Sequence, residues 1–138
     1  MPAFVVLDSE AVSALAHPRE RAVAARRAQA VLTEAARRNA LVRIPSPVLA
    51  EVYRGSRRDA AVDRIVGRGN RIVALSQTIA RRAGALLARD GLDSCHAVDA
   101  TVVATAIRFG GAVVMTSDAN DLESLAREHP NVVIQALE

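Results

Sequence analysis

The chain has 138 residues, of which 51% are hydrophobic and 24% charged, a balance that predicts a single globular domain over residues 1–138. All 18 basic residues are arginines, which excludes a Walker A phosphate loop, a Schiff-base enzyme and any other chemistry that requires lysine. The net charge of +3 suits a polyanionic partner, whereas the 2% of aromatic residues argues against a base-stacking platform.

Cys95 is the only cysteine, so the chain has neither an internal disulfide nor a multi-cysteine zinc site. No apolar run approaches the roughly 18 residues that a membrane span needs, and the N-terminus has no charged segment followed by a long apolar core. We therefore expect a soluble, cytoplasmic protein without membrane contact.

Apolar runs alternate with helical patterns along the whole chain. Strands are predicted over residues 3–7, 41–44, 71–75, 112–116 and 131–134. Helices are predicted over residues 9–16, 19–39, 46–55, 56–66, 76–89, 96–109 and 118–128. This alternation predicts a three-layer α/β/α sandwich around a mostly parallel five-stranded sheet.

Two of these helices carry local signals that the structure can test. The second helix has an approximate apolar stripe, formed by Val23, Ala30, Val31, Leu32 and Ala35. In the fourth, a serine followed three residues later by an aspartate, at positions 56 and 59, predicts a variant capping box.

Carboxylates follow two of the predicted strands. Asp8 ends the first strand and Asp118 comes two residues after the fourth. Ligands of open parallel sheets bind beyond the carboxyl ends of the strands, where the strand order reverses, so these two side chains would face each other if their strands were neighbours there. Two ionised carboxylates that face each other closely repel, so either a cation lies between them or one of them stays protonated. The plainer alternative is that each aspartate caps the helix that follows it.

Two further acids lie on apolar helix faces. Asp99 shares its face with Val102, Val103 and Ala106, where an unpaired carboxylate would be costly. It could be satisfied there by backbone amides or by an arginine. Glu51 could be an ordinary surface glutamate paired with Arg54.

A hard divalent cation such as Mg²⁺ would accept this set of oxygen ligands. His96 lies one helical turn before Asp99 and either reaches the rim of the crevice or only begins the helix. Such a cation would explain why four acids fall at two strand ends and on two helix faces.

Four motifs in this order resemble the PIN domain family. They are Asp8 after the first strand, Glu51 in the third helix, Asp99 in the sequence DATVVATA, and the run Thr116-Ser117-Asp118 after the fourth strand. The size of the chain is similar to that of the VapC toxins of bacterial toxin–antitoxin pairs. Leu122 departs from the pattern, because many relatives carry an aromatic residue after the second acid.

The resemblance implies an endoribonuclease dependent on Mg²⁺ or Mn²⁺. In it the catalytic metal site is built by Asp8, Glu51, Asp99 and Asp118. Ser9 and Thr116 would hydrogen-bond ligands or bound water, and Asp121 would add a water-mediated contact. The resemblance further implies a VapB-like antitoxin partner and a homodimer.

Hydrolysis of RNA by water in such a site would leave a 5′-phosphate and a 3′-hydroxyl, without use of the RNA 2′-hydroxyl. Because an acidic pocket repels the RNA backbone, nearby arginines should offset it. The candidates are Arg54, Arg57 and Arg58, with Arg81 and Arg82 further along the chain.

Three alternatives remain at this point. One is a PIN-fold RNA-processing nuclease outside a toxin–antitoxin system, and another is a catalytically silent PIN-fold binding module. The third is a phosphoacceptor signalling domain, which also gathers acids at strand ends but normally uses an acceptor aspartate after the third strand and a lysine. This chain has Leu75-Ser76 at that strand end and contains no lysine.

Overall fold

The computed structural model describes residues 2–67 and 69–138. Its centre is a five-stranded sheet in the order β3-β2-β1-β4-β5, with every neighbouring pair of strands parallel. The strands are β1 (Phe4–Leu7), β2 (Leu41–Pro45), β3 (Ile72–Val73), β4 (Ala112–Thr116) and β5 (Val132–Ala136). The predicted parallel sheet is confirmed, and β3 is shorter than expected.

Helices cover the sheet in two groups. They are α1 (Ser9–Ala16), α2 (Ala22–Arg37), α3 (Ser46–Val52), α4 (Asp59–Val66), α5 (Gln77–Asp90), α6 (Ala97–Arg108) and α7 (Ala119–Ala126). Helix α1 packs against α2, α3 and α4, whereas α5, α6 and α7 pack against one another. Right-handed crossovers explain the grouping, because the chain moves in one direction from β1 to β3 and in the other from β3 to β5. The result is the predicted three-layer α/β/α sandwich.

The core lies where helices cover both faces of the central strands. The central strands are buried on both faces, as shown by Val5, Val6 and Leu7 of β1 and by Val114 and Met115 of β4, which are all fully buried. Buried and exposed side chains therefore do not alternate along these strands, as they would in a sheet with one face in water. Helix α6 is buried continuously over its middle and contacts β1, β2, β4 and β5. Among the described residues, no helix is both long and apolar enough to cross a membrane.

Strands β1 and β4 are neighbours at the point where the strand order reverses. Val5 pairs with Val113 and Leu7 pairs with Met115. The pairing continues one residue further, where the backbone N–H of Asp8 donates to the carbonyl of Met115 at 3.3 Å. The ends of β1 and β4 therefore open into one crevice, as the sequence predicts.

One local prediction is confirmed only in part and another is wrong. In α2, Val31, Leu32 and Ala35 of the predicted stripe pack into or against the core, but Val23 is 47% exposed and alanines 24 and 28 are buried in its place. The capping box is also absent: α4 begins at Asp59, whose carboxylate accepts from the backbone N–H groups of residues 54 and 55 instead. That carboxylate closes the turn before α4 rather than its first turn.

The turn before β4 requires a glycine at position 111. Gly111 has φ of 134°, and a Cβ there would lie 2.7 Å from the carbonyl oxygen of Asn131. We expect Gly111→Ala to lower the free energy of unfolding by about 1–3 kcal/mol, because both the conformation and the contact penalise a side chain.

Gly84→Ala is the matched control, since a Cβ added to this residue in the middle of α5 would meet nothing within 4 Å. We expect this change to be neutral or to stabilise by up to about 1 kcal/mol. Urea denaturation of both variants measures the difference, and equal stabilities would contradict the close approach of Asn131 to Gly111.

Candidate metal centre

Asp8 lies at the bottom of the crevice, between the end of β1 and the start of α1. It is 4% exposed, and its side chain accepts a hydrogen bond from the backbone N–H of Ala11 at 2.9 Å. Asp8 is thus the N-cap that the plainer sequence interpretation predicted, and it also faces the neighbouring strand. One carboxylate oxygen is used by the cap, so capping alone does not account for the whole group.

Thr116 connects the ends of β4 and β1. Its hydroxyl accepts from the backbone N–H of Asp118 at 2.9 Å, and a hydrogen bond between Thr116 and Asp8 lowers the pKa of Asp8. A fully buried threonine therefore orders both the turn that carries Asp118 and the carboxylate of Asp8. The side chain of Asp118 occupies the N-cap position of α7 without capping it.

Glu51 approaches the cluster from α3. The hydroxyl of Ser9, the residue after Asp8, donates a hydrogen bond to the carboxylate of Glu51. The guanidinium of Arg54, its expected partner in the plainer interpretation, donates instead to the carbonyls of Ala50 and Tyr53. Glu51 is exposed, so its carboxylate is accessible from the mouth of the crevice.

Asp99 lies in the first turn of α6 and links the other acids. The ligand atoms of His96, Asp99 and Asp121 lie within 4.8 Å of one another. Glu51, Asp118 and Asp121 all raise the pKa of Asp99 through their negative charges, and Asp99 in turn raises the pKa of Asp8. The charges of the four predicted acids and Asp121 therefore act on one another in one region, but of these acids only Asp99 and Asp121 belong, with His96, to a group of ligand atoms within 4.8 Å.

The electrostatics of this acidic cluster (Asp8, Glu51, Asp99, Asp118 and Asp121) are unbalanced. Burial first, and neighbouring carboxylates second, raise the pKa of Asp8 to about 7 and that of Asp99 to about 6. Burial and the charge of Asp121 also raise the pKa of Asp118. Among the charged groups that shift the pKa of Asp99, only His96 is positive and lowers it. A hard divalent cation prefers oxygen ligands, and the unbalanced negative charge of these carboxylates favours its binding.

Glu10 and Arg21 border the cluster and were missed by the sequence analysis. The charge of Glu10 raises the pKa of both Asp8 and Asp118, so its carboxylate faces the same region. Arg21 forms an ion pair with Glu10. The sequence pattern placed Arg21 inside the helix predicted over residues 19–39, whereas it is the N-cap of α2, and no local signal in the sequence predicts its contact with Glu10.

Comparison with known proteins supplies the family. The family model described as PIN domain matches residues 5–128, which is most of the chain. The chain belongs to the PIN domain family. No curated protein sequence matches this PIN domain at a significant level.

Solved structures share the fold of this PIN domain at low sequence identity. One is VapBC2 from Rickettsia felis, bound to a DNA fragment from its promoter, with a TM-score of 0.68 and 18% identity over 96% of this chain and 98% of that chain. Another is VapBC-1 from nontypeable Haemophilus influenzae, with a TM-score of 0.64 and 15% identity over 97% of this chain and 98% of that chain. These matches establish the PIN-like architecture, and the family assignment replaces the signalling-domain alternative.

The predicted RNA-contacting arginines lie beyond α3. These three and the two further candidates on α5, Arg81 and Arg82, are all exposed, but Arg54 is turned to its own backbone and Arg58 pairs with Glu20 at 2.9 Å. Arg57 is exposed in the same connection. Their role in RNA binding stays a prediction.

Proposed function

We propose that this PIN domain is a metal-dependent endoribonuclease and the VapC-like toxin of a type II toxin–antitoxin pair. The observation that carries the proposal is the acidic cluster, in which carboxylates from β1, α3, α6 and the turn after β4 meet with little balancing positive charge. Mutual repulsion of this kind destabilises a fold unless it is used to bind a cation.

The metal ligands in this proposal are Asp8, Glu51, Asp99 and Asp118, with Mg²⁺ or Mn²⁺ as the cation. When bound, the cation supplies Lewis-acid chemistry, lowering the pKa of a water and offsetting negative charge on the phosphodiester. The donor set fits this assignment because it consists of carboxylate oxygens, and because burial among like charges raises the pKa of Asp8 and of Asp99.

The remaining residues of the site orient these carboxylates. Thr116 fixes Asp8 and the backbone of Asp118, and the hydroxyl of Ser9 fixes Glu51. Asp121 stands next to Asp118 and is assigned a contact through water. This network holds the ligands in place before substrate arrives, which is what efficient positioning of a phosphodiester requires.

RNA is the proposed substrate because the chain combines an acidic centre with a net charge of +3 and a surface rich in arginine. The exposed Arg57, with Arg54 and Arg58, would meet phosphates on either side of the scissile bond. The two similar solved structures are both VapBC proteins, which supports a VapB-like antitoxin as the partner here. A homodimer is the expected state of the toxin.

The test is cleavage of a panel of structured RNAs by the purified protein. We expect cleavage with Mg²⁺ or Mn²⁺, none with EDTA, and products ending in a 5′-phosphate and a 3′-hydroxyl. A cyclic 2′,3′-phosphate would contradict water as the nucleophile. Metal binding without cleavage of any RNA would favour the silent binding module, and a small antitoxin gene beside this reading frame would support the toxin assignment over an RNA-processing role.

A matched pair of glutamate variants tests Glu51, an exposed ligand of the proposed site. Glu51→Gln should reduce the cleavage rate by more than about 100-fold, because it removes a charge from the proposed metal site and weakens the contact with Ser9. Glu123→Gln removes the charge of an exposed glutamate on α7 and should leave the rate unchanged. Equal rates for the two variants at subsaturating Mg²⁺ would remove Glu51 from the site.

A further inference from the structure

Arg21 contacts three separate parts of the chain beside the acidic cluster. It occupies the N-cap position of α2, and its guanidinium pairs with Glu10 of α1. The same group donates to the hydroxyl of Ser117 at 2.5 Å and to the carboxylate of Glu138 at 2.9 Å. Its side chain is only 24% exposed. The planar guanidinium, with five N–H donors in a fixed fork, reaches such separated partners better than the compact ammonium of a lysine.

Ser117 makes this network relevant to the proposed metal centre. It directly precedes Asp118 in the turn between β4 and α7, and Asp118 is exposed. Two hydrogen bonds fix the turn: the hydroxyl of Thr116 accepts from the backbone N–H of Asp118, and Arg21 donates to the hydroxyl of Ser117. Because a metal ligand must be held within a fraction of an ångström, loss of the hydrogen bond from Arg21 would widen the range of positions open to Asp118.

Through Glu10, Arg21 also has a second, smaller effect on the charge of the acidic cluster. Its carboxylate is close enough to raise the pKa of Asp8 and Asp118, but the ion pair with Arg21 holds it outside the acidic cluster. Removal of Arg21 would therefore leave an additional negative charge at the rim. That charge alone would strengthen cation binding, whereas loss of the hold on Ser117 would weaken it, so the two effects have opposite signs and can be separated by experiment.

We propose that Arg21 is a positioning residue that fixes the turn carrying Asp118 and thereby sets the affinity of the site for its divalent cation. The inference rests on the proposed metal centre. Arg21 acts through Ser117 and touches neither the cation nor the substrate.

The experiment measures Mn²⁺ affinity from the electron paramagnetic resonance signal of free Mn²⁺, with hydrogen exchange of the amides of residues 117–121 recorded on the metal-free protein. Arg21→Ala should raise the dissociation constant about 10- to 100-fold, the usual cost of losing a group that orients a ligand, and should speed exchange in the turn. Arg21→Lys should restore part of both. Arg37→Ala, which removes an exposed ion pair at the other end of α2, should change neither.

Two further variants keep the inference testable. Ser117→Ala retains the ion pairs of Arg21 and removes only its acceptor in the turn, so it should weaken Mn²⁺ binding even if Arg21→Ala fails to fold. In the double variant Arg21→Ala with Glu10→Gln, affinity should be no higher than in Arg21→Ala, because the unpaired charge of Glu10 favours the cation. If Arg21 acted only by neutralising Glu10, Arg21→Ala would bind Mn²⁺ more tightly than wild type, and that result would overturn the proposal.

Unchanged Mn²⁺ affinity in folded Arg21→Ala and Ser117→Ala would also overturn it. A wild-type protein that binds no Mn²⁺ would instead refute the metal centre of the proposed function. In that case faster exchange in Arg21→Ala would still support its hold on the turn.

Discussion

Asp99→Asn is expected to abolish RNA cleavage while the protein remains folded. Asp99 is the acid on which the charges of Glu51, Asp118 and Asp121 all act, so its carboxylate lies at the centre of the acidic cluster. Asparagine keeps the shape and one oxygen but removes the charge that a divalent cation needs. Residues that merely orient metal ligands cost about 10- to 100-fold when lost, so the loss of a central ligand should exceed about 100-fold.

The measurement is the rate of cleavage of one RNA at several Mg²⁺ concentrations, together with thermal unfolding of the metal-free protein. The melting temperature should not fall, because the substitution relieves repulsion among the neighbouring acids. Asp63→Asn is the matched control, since Asp63 is an exposed helical aspartate whose oxygen accepts from the hydroxyl of Tyr53 and asparagine can do the same. Cleavage by purified Asp99→Asn at the wild-type rate would refute the assignment of the metal site.

The second large effect is a pH-dependent gain in stability from Asp8→Asn. Burial raises the pKa of Asp8 from 3.8 to about 7, so folding disfavours its ionised form. Below pH 3.8 the group is protonated in both states and the penalty is absent. Between that pH and about pH 7 the unfolded chain binds fewer protons than the native one, so stability falls as the pH rises, and above pH 7 the penalty is constant.

Asparagine cannot ionise, and its side-chain oxygen can still accept from the N–H of Ala11. In EDTA at pH 8 we expect the variant to exceed wild type by about 4 kcal/mol in the free energy of unfolding, since each pKa unit corresponds to about 1.4 kcal/mol. That is a difference in melting temperature on the order of 10 °C, and it should nearly vanish at pH 4.

Addition of Mn²⁺ at pH 8 should narrow the difference between the two proteins, and should reverse their order once free Mn²⁺ exceeds about 1,000 times its dissociation constant. A cation that binds only the native site stabilises wild type by mass action, whereas the variant lacks the charge to hold it. Calorimetric scans at both pH values, with EDTA and with Mn²⁺, check the prediction. Identical melting temperatures of the metal-free proteins at pH 8 would contradict an electrostatic penalty at Asp8.

The architecture and the convergence of acids were accessible from the sequence because both depend on strong periodic signals. Fully apolar runs mark buried parallel strands, and the carboxyl ends of such strands meet at one edge. Asp8 and Asp118 follow from that rule alone once β1 and β4 are neighbours. Asp99 was found because a carboxylate on an apolar helix face is costly without a partner.

Other features depend on contacts that no local pattern encodes. Arg21 meets Ser117 and Glu138 across 96 and 117 residues of sequence, and the sequence pattern placed it inside a helix rather than at the N-cap of one. Asp59 fits the sequence pattern of a capping box and could equally close the preceding turn. In the folded structure its carboxylate accepts hydrogen bonds from that turn instead. Val23 on α2 shows the same limit, because the first half of that helix buries Ala24 and Ala28 and leaves the larger Val23 exposed.

The pairing of β1 with β4 has a consequence for biosynthesis. Val5 and Val113 lie side by side in the sheet, so ordering one against the other closes a very long loop, and such pairing is slow relative to local helix formation. A ribosome that has translated the chain only as far as the end of α5 has made Asp8 and Glu51 but neither Asp99 nor Asp118. Such incomplete chains lack half of the proposed metal ligands, so the proposed nuclease would stay inert until its synthesis is nearly finished.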